Sequence, residues 1–168
     1  MTQRRHLAVV ATTLLLALVA CTKDPPQSPV SAVAPSERVA PSPVGTTQNV
    51  LQKTFNLKGS TIFPFTIPAH ASQPHLHGIF ESFAGQVHGA SDDSANIDFL
   101  ILNEEQQADF SNGRESETLF SVESSHNQAV NFDLPSSMNQ PVKYYLVFRS
   151  SGDNKGSKVV EANFRVDF

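Results

Sequence analysis

The chain has 168 residues, of which 39% are hydrophobic and 17% charged, and its formal net charge is −4 at pH 7. That length suits one domain of ordinary size, and the low charge content argues against a coiled coil or a charged disordered chain. The acidic balance excludes nucleic-acid phosphates as general partners, and a single cysteine excludes a disulfide framework and a zinc site built on cysteines.

The N-terminus has the features of a secretion signal. Arg4 and Arg5 precede an uncharged apolar run, residues 7–20, which is too short to span a membrane as a helix. A basic region followed by such a run predicts a cleaved signal peptide over residues 1–20. The arginine pair also leaves open the twin-arginine export route.

The end of that run carries a second signal. Leu18, Val19 and Ala20 stand directly before Cys21, the only cysteine, and this order resembles the lipobox of bacterial lipoproteins. The resemblance implies cleavage before Cys21 and a diacylglycerol linked to its sulfur, whose acyl chains anchor the protein to a lipid bilayer. Thr22 stands where Asp would favour the inner membrane, so the resemblance implies the outer membrane of the bacterial cell envelope.

Residues 21–47 are predicted to form a disordered tether behind that cysteine. The segment holds six of the eleven prolines, between Pro25 and Pro43, and it has no aromatic residue and no hydrophobic period. Such a segment cannot bury enough apolar area to offset its ordering entropy, and proline favours an extended chain. We expect a spacer that holds a folded domain away from the membrane.

From residue 48 onward the sequence predicts short β-strands, because apolar and polar residues alternate and each run ends at turn residues. All twelve phenylalanines and both tyrosines lie from Phe55 onward. We predict an all-β fold, an antiparallel β-sandwich of about eight strands over residues 48–168. An outer-membrane barrel is the alternative, but most runs are shorter than the roughly 9–11 residues its strands need. The predicted strands lie near 51–57, 63–67, 75–81, 97–101, 119–122, 130–134, 144–148 and 159–168.

One segment departs from the strand pattern. The run Asn-Glu-Glu-Gln at 103–106 has the pattern of a helix N-cap with an acidic first turn and a capping-box glutamine. Gly113, about two turns later, provides a left-handed stop. We therefore predict a short helix over residues 104–112, with Ala108 and Phe110 as the residues that it can bury.

Two local expectations follow from the strand pattern. Tyr144 and Tyr145 are neighbours and point to opposite faces of their strand, so only one of them is expected in the core. His126 stands between Ser125 and Asn127 and is expected to occupy the turn of a hairpin.

Three runs follow one another in the C-terminal part: Asn-Glu-Glu at 103–105, Tyr-Tyr-Leu-Val-Phe at 144–148 and Lys-Val-Val-Glu-Ala at 158–162. This order resembles the bacterial domains related to the Golgi-dynamics (GOLD) β-sandwich, over about residues 76–168. The resemblance implies an interaction or cargo-binding module and brings no catalytic residues. Residues 149–151, Arg-Ser-Ser, stand where members of that family commonly have an Asn-containing turn.

A histidine pattern lies on the third predicted strand. His75, His77 and Glu81 have the spacing His-x-His-x-x-x-Glu, which resembles the first cupin motif, whose side chains hold a divalent metal. His88 is placed to complete such a site. The opening glycine and the second cupin motif are missing from this sequence. If the intervening apolar residues point into the core, the strand instead presents a polar outer face to water.

The sequence has no Gly-x-Ser-x-Gly elbow, no phosphate-binding loop and no cysteine in the predicted domain, which favours a protein that is not an enzyme. We predict a membrane-anchored binding module without a cofactor, whose partner is an envelope protein or glycan bound at loops or at an edge strand. The alternative is a cupin-like metal-binding protein that uses the histidine strand. The two differ in whether that strand faces a covered interior or water.

Overall fold

A computed structural model describes residues 42–85, 91–114, 117–150 and 156–168, all within a compact unit that spans Arg38–Phe168. The predicted signal peptide, Cys21 and most of the predicted tether lie outside these residues. Within the described ranges, no helix is both long enough and apolar enough to cross a membrane.

The described part of the chain folds into strands with one α-helix and a 3-10 turn at Asp93–Ala95. The helix, α1, spans Glu104–Ser111 and follows the fourth strand and precedes the fifth along the chain. The strands are β1 (Thr47–Leu57), β2 (Ser60–Ile67), β3 (His75–Ala84), β4 (Ile97–Asn103), β5 (Phe120–Ser125), β6 (Asn127–Asp133), β7 (Val142–Ser150) and β8 (Lys158–Asp167).

These strands form two antiparallel sheets of four. The first sheet has the order β1-β8-β3-β6, and the second has the order β2-β7-β4-β5. Each odd-numbered strand and the strand that follows it in sequence belong to opposite sheets, which is the strand order of a jelly roll. The predicted all-β sandwich is therefore confirmed.

The core between the sheets is built from phenylalanine rings. Phe80, Phe99, Phe148 and Phe164 are fully buried. The Phe99 ring stacks on the Phe164 ring at 5.1 Å between centroids and on the Phe80 ring at 5.6 Å. Each aromatic pair contributes about 0.5–1.5 kcal/mol beyond the area that it buries. These rings occupy the interior of the sandwich.

Helix α1 has the predicted start and stop. The Asn103 side chain accepts from the Gln106 backbone N–H at 2.8 Å, and the Gln106 side chain accepts from the Asn103 N–H at 3.0 Å, which completes a capping box. Gly113 follows the helix with φ of 68°, a left-handed conformation that glycine adopts without strain. Phe110 is half-buried against the second sheet, but Ala108 is exposed, so the expectation that the helix buries it is wrong.

The expectation that only one tyrosine lies in the core between the sheets is confirmed, although both side chains are buried. Tyr144 is 3% exposed in the core between the sheets, and Tyr145 is 8% exposed on the outer face of the second sheet. The two side chains do point to opposite faces. Tyr145 is buried because α1 covers that outer face, where it joins a small apolar cluster with Leu100, Leu102, Val147, Ile62 and Phe110.

His126 does not occupy a hairpin turn. β5 belongs to the second sheet and β6 to the first, so this single residue carries the chain from one sheet to the other. Its Nδ1 lies 3.0 Å from Asn96 Oδ1, and Ser124 adopts a positive φ of 52° just before the crossing. The alternation of apolar and polar residues on either side of His126 is the same for a chain that passes between two sheets as for a hairpin, so the sequence could not distinguish the two.

Candidate functional site

The histidine pattern lies on the outer face of the first sheet, which we call the histidine face. The side chains of Leu76 and Phe80 point into the core and are fully buried, so His75 and His77 point outward. His75 Nδ1 lies 2.6 Å from Asp133 Oδ1 on β6, and the two imidazole rings lie 6.0 Å apart. The side chains of both histidines are 39% exposed.

Glu81 lies apart from the imidazoles. It lies four positions after His77 on β3, which amounts to about 13 Å. Among the described residues, no group of three or more His, Cys, Asp or Glu side chains is placed to hold a metal ion. His88 lies outside the described residues. The arrangement differs from the one that the cupin resemblance implies, because phenylalanine rings fill the interior and the imidazoles face water.

A concave site lies on the outer face of the second sheet, beside α1. We call it the helix cleft; its volume is about 630 Å³. Its described lining residues are Leu100, Leu102, Phe110, Gly113, Arg114, Glu117, Thr118, Ser121, Glu123 and Arg149. Leucines of β4 form the floor, Phe110 forms an apolar wall, and the rim is polar.

Ion pairs hold both arginines of the helix cleft. Arg149 donates from Nε and Nη2 to Asp98 Oδ2 at 3.0 and 2.8 Å, and the Asp98 side chain is only 11% exposed. Arg114 Nη2 lies 3.0 Å from Asp109 Oδ1 on α1. A guanidinium fixed by one carboxylate keeps further N–H donors for a ligand, and its position is set before binding.

The sequence of β4 indicated that another element covers the outer face of the second sheet, where this cleft lies. β4 reads Ile-Asp-Phe-Leu-Ile-Leu at 97–102, with apolar residues on both faces, and all six are buried. Burial on both faces requires an element over the outer face, and α1 is the helix predicted directly after that strand. The polar rim could not be found in this way, because Glu123 and Arg149 are distant in sequence.

One end of the sandwich holds a buried polar network. Lys158 is 1% exposed, and its Nζ donates to the Asn96 carbonyl at 2.6 Å and to Ser150 Oγ at 3.0 Å. Desolvation lowers the pKa of Lys158, and the charge of Asp98 acts in the opposite direction. Ser82 Oγ donates to the Ala95 carbonyl at 2.6 Å. These bonds connect β3 and β8 to residues 95–96, just before β4, and to β7. The network therefore has a structural role.

No protein-family model matches the sequence, and a search of curated proteins finds no match.

Proposed function

We propose that this protein is a membrane-anchored, non-enzymatic binding module of the bacterial cell envelope, and that the helix cleft holds its ligand. The cleft itself carries the proposal. Its volume of about 630 Å³ falls in the range of roughly 300–1,000 Å³ typical of ligand sites. It combines an apolar floor with a few fixed polar groups, as such sites do.

The chemistry of the cleft fits binding better than catalysis. Its described lining residues include no histidine, cysteine or lysine, so its walls offer no imidazole, thiol or amine to act as a nucleophile or to activate the hydroxyls of Thr118 and Ser121. Both arginines are paired with aspartates. The carboxylates on the rim, Glu117 and Glu123, and the hydroxyls of Thr118 and Ser121 suit hydrogen bonds to a polar partner.

The N-terminal sequence supports the anchoring part of the proposal. Cys21 after Leu18-Val19-Ala20 is the lipidation site that the lipobox resemblance implies, and acyl chains buried in a bilayer hold a protein there. The proline-rich stretch after it has the composition of a spacer. The partner we infer is therefore an outer-membrane or periplasmic component, a protein or a glycan.

We also propose that the folded domain is related to the GOLD-like sandwiches. Two of the three runs that carry the resemblance, 144–148 and 158–162, lie in β7 and β8, which are inner strands of the two sheets. Inner strands of a sandwich core set its packing, so the resemblance rests on core positions and says nothing about the ligand.

Site-directed photo-crosslinking in living cells tests this function. A photoreactive phenylalanine analogue is introduced at Thr118, which lines the cleft. The matched control carries the same analogue at Met138, which is 82% exposed on another loop. We expect a discrete crosslinked species from position 118 only. Equal products from both positions, or none from position 118, would contradict binding in the cleft.

A further inference from the structure

A second concave site lies on the outer face of the first sheet, between β3 and β8. Two cavities of about 380 and 270 Å³ share Ile79 and Asn163 and so form one continuous depression, which we call the strand groove. It extends from the Glu81/Glu161 pair at one end to the His77/Arg165 pair at the other, over five residue pairs of the β3–β8 ladder, three of which face outward.

One end of the strand groove is acidic. Glu81 and Glu161 stand directly opposite each other in the antiparallel ladder, and like charges in that position destabilise a sheet. Neither carboxylate has an ion pair with another described residue. Lys53 lines the same end, but its Nζ lies 5.9 Å over the Phe63 ring. The acidic end therefore offers an incompletely neutralised site for a cation.

The middle of the groove is apolar and contains an unsatisfied acceptor. Ile79 is 48% exposed at the centre of an otherwise polar face. Asn163 lies opposite Ile79 in the ladder, and its Oδ1 is shielded from solvent without a hydrogen-bond partner in the described structure. A shielded acceptor without a partner costs stability, and a ligand that donates a hydrogen bond would satisfy it.

The other end carries one cationic side chain, Arg165, with the acidic Asp167 two residues further along β8. Arg165 stands opposite His77. The Nε2 atom of His77 is shielded from solvent and lies 3.6 Å from Asp167 Oδ2, too far for a hydrogen bond, and it has no other partner among the described residues. Arg165 and Glu161 lie four residues apart on β8, so the charged ends are separated by about 13 Å.

We propose that the strand groove binds an extended peptide segment of a protein partner that carries a basic and an acidic side chain four residues apart. In an extended chain, residues i, i+2 and i+4 project to the same side and span about 13 Å, the same distance as the groove. The basic side chain then lies between Glu81 and Glu161, the acidic one meets Arg165, and an apolar one contacts Ile79. This surface is separate from the helix cleft.

The probe is the blocked pentapeptide Arg-Thr-Val-Thr-Glu, titrated into the micelle-solubilised full chain and followed by amide chemical shifts. Matched controls are Arg-Thr-Val-Thr-Arg and Glu-Thr-Val-Thr-Glu, each of which places a like charge at one end of the groove. We expect saturable shifts on β3 and β8 with the mixed peptide only. No saturable shift with the mixed peptide, or equal binding of all three, would overturn the proposal.

Variants of the groove separate binding from folding. Glu161→Gln removes the like-charge rung, so we expect a higher urea midpoint together with affinity for the mixed peptide about twofold to fivefold weaker. Asp133→Asn makes the same charge change on the same face, outside both cavities, and is expected to leave the affinity unchanged. A midpoint for Glu161→Gln that stays constant or falls, or an equal loss of affinity in both variants, would refute the assignment.

Discussion

Replacing Gly78, in the middle of β3, with alanine is expected to destabilise the fold. The reason is the packing around this residue in three dimensions. A Cβ added at this position would lie 2.5 Å from Phe164 Cδ1, and closer still to the Asn163 backbone carbonyl. Both atoms belong to β8, the neighbouring strand. The ring is fully buried among other rings, and the carbonyl is part of the ladder, so neither atom can move away without disturbing the sheet.

The expected cost follows from two opposing effects. Replacing glycine with alanine in a strand usually stabilises a protein by about 0.5–1 kcal/mol, because the unfolded chain loses entropy. Overpacking a filled core costs about 1–3 kcal/mol. For Gly78→Ala the packing cost exceeds the entropy gain, which leaves a net destabilisation of about 1–2 kcal/mol. The urea midpoint then falls by about 0.5–1 M at the slopes that are typical of small domains.

Urea denaturation of the variant and of a matched control measures this effect. Gly59→Ala is the control, because Gly59 has φ of 79° and no atom within 4 Å of an added Cβ, so its cost comes from the backbone alone. In a Phe164→Leu background the Gly78→Ala penalty is expected to shrink, whereas the Gly59→Ala penalty stays the same. A Gly78→Ala variant as stable as the parent would refute the packing argument.

Three further predictions concern the anchor, the histidines and a buried phenol. Cys21→Ser is expected to abolish palmitate labelling, and unchanged labelling would refute lipidation. We expect the protein to purify without stoichiometric metal and chelator to leave its Tm unchanged; one metal per chain, lost when His75 and His77 become Ala, would favour the cupin-like alternative. Burial raises the pKa of Tyr144 above its usual 10.0, so the folded state retains the proton longer than the unfolded state and stability falls as the pH rises beyond 10.0. Tyr144→Phe is expected to lose less stability than the parent over that range, and equal losses in urea titrations would contradict this.

Most of the fold could be predicted from local patterns. The alternation of apolar residues identified the strands, and the capping residues Asn103 and Gln106 located the helix start. These signals act within a few residues, so no knowledge of the tertiary structure is needed to read them. Tyr145 shows their limit, because its burial depends on α1 packing over the second sheet.

Pairings between distant segments could not be predicted. His126 stands between two strands that separate into different sheets, and its sequence neighbours are equally compatible with a hairpin turn. The same limit applies to both concave sites. Arg149 on β7 meets Asp98 on β4, and Glu81 on β3 meets Glu161 on β8, pairs that only the strand order brings together.

The most direct test of the binding-module account compares what co-purifies with the native protein and with a cleft-blocked variant. Ser121→Trp places an indole on the lining of the helix cleft, and Met138→Trp adds the same ring at an exposed site away from that lining. The account predicts that one envelope component accompanies the parent and Met138→Trp and is lost from Ser121→Trp. A component that Ser121→Trp retains, or a parent protein that isolates alone, would contradict it.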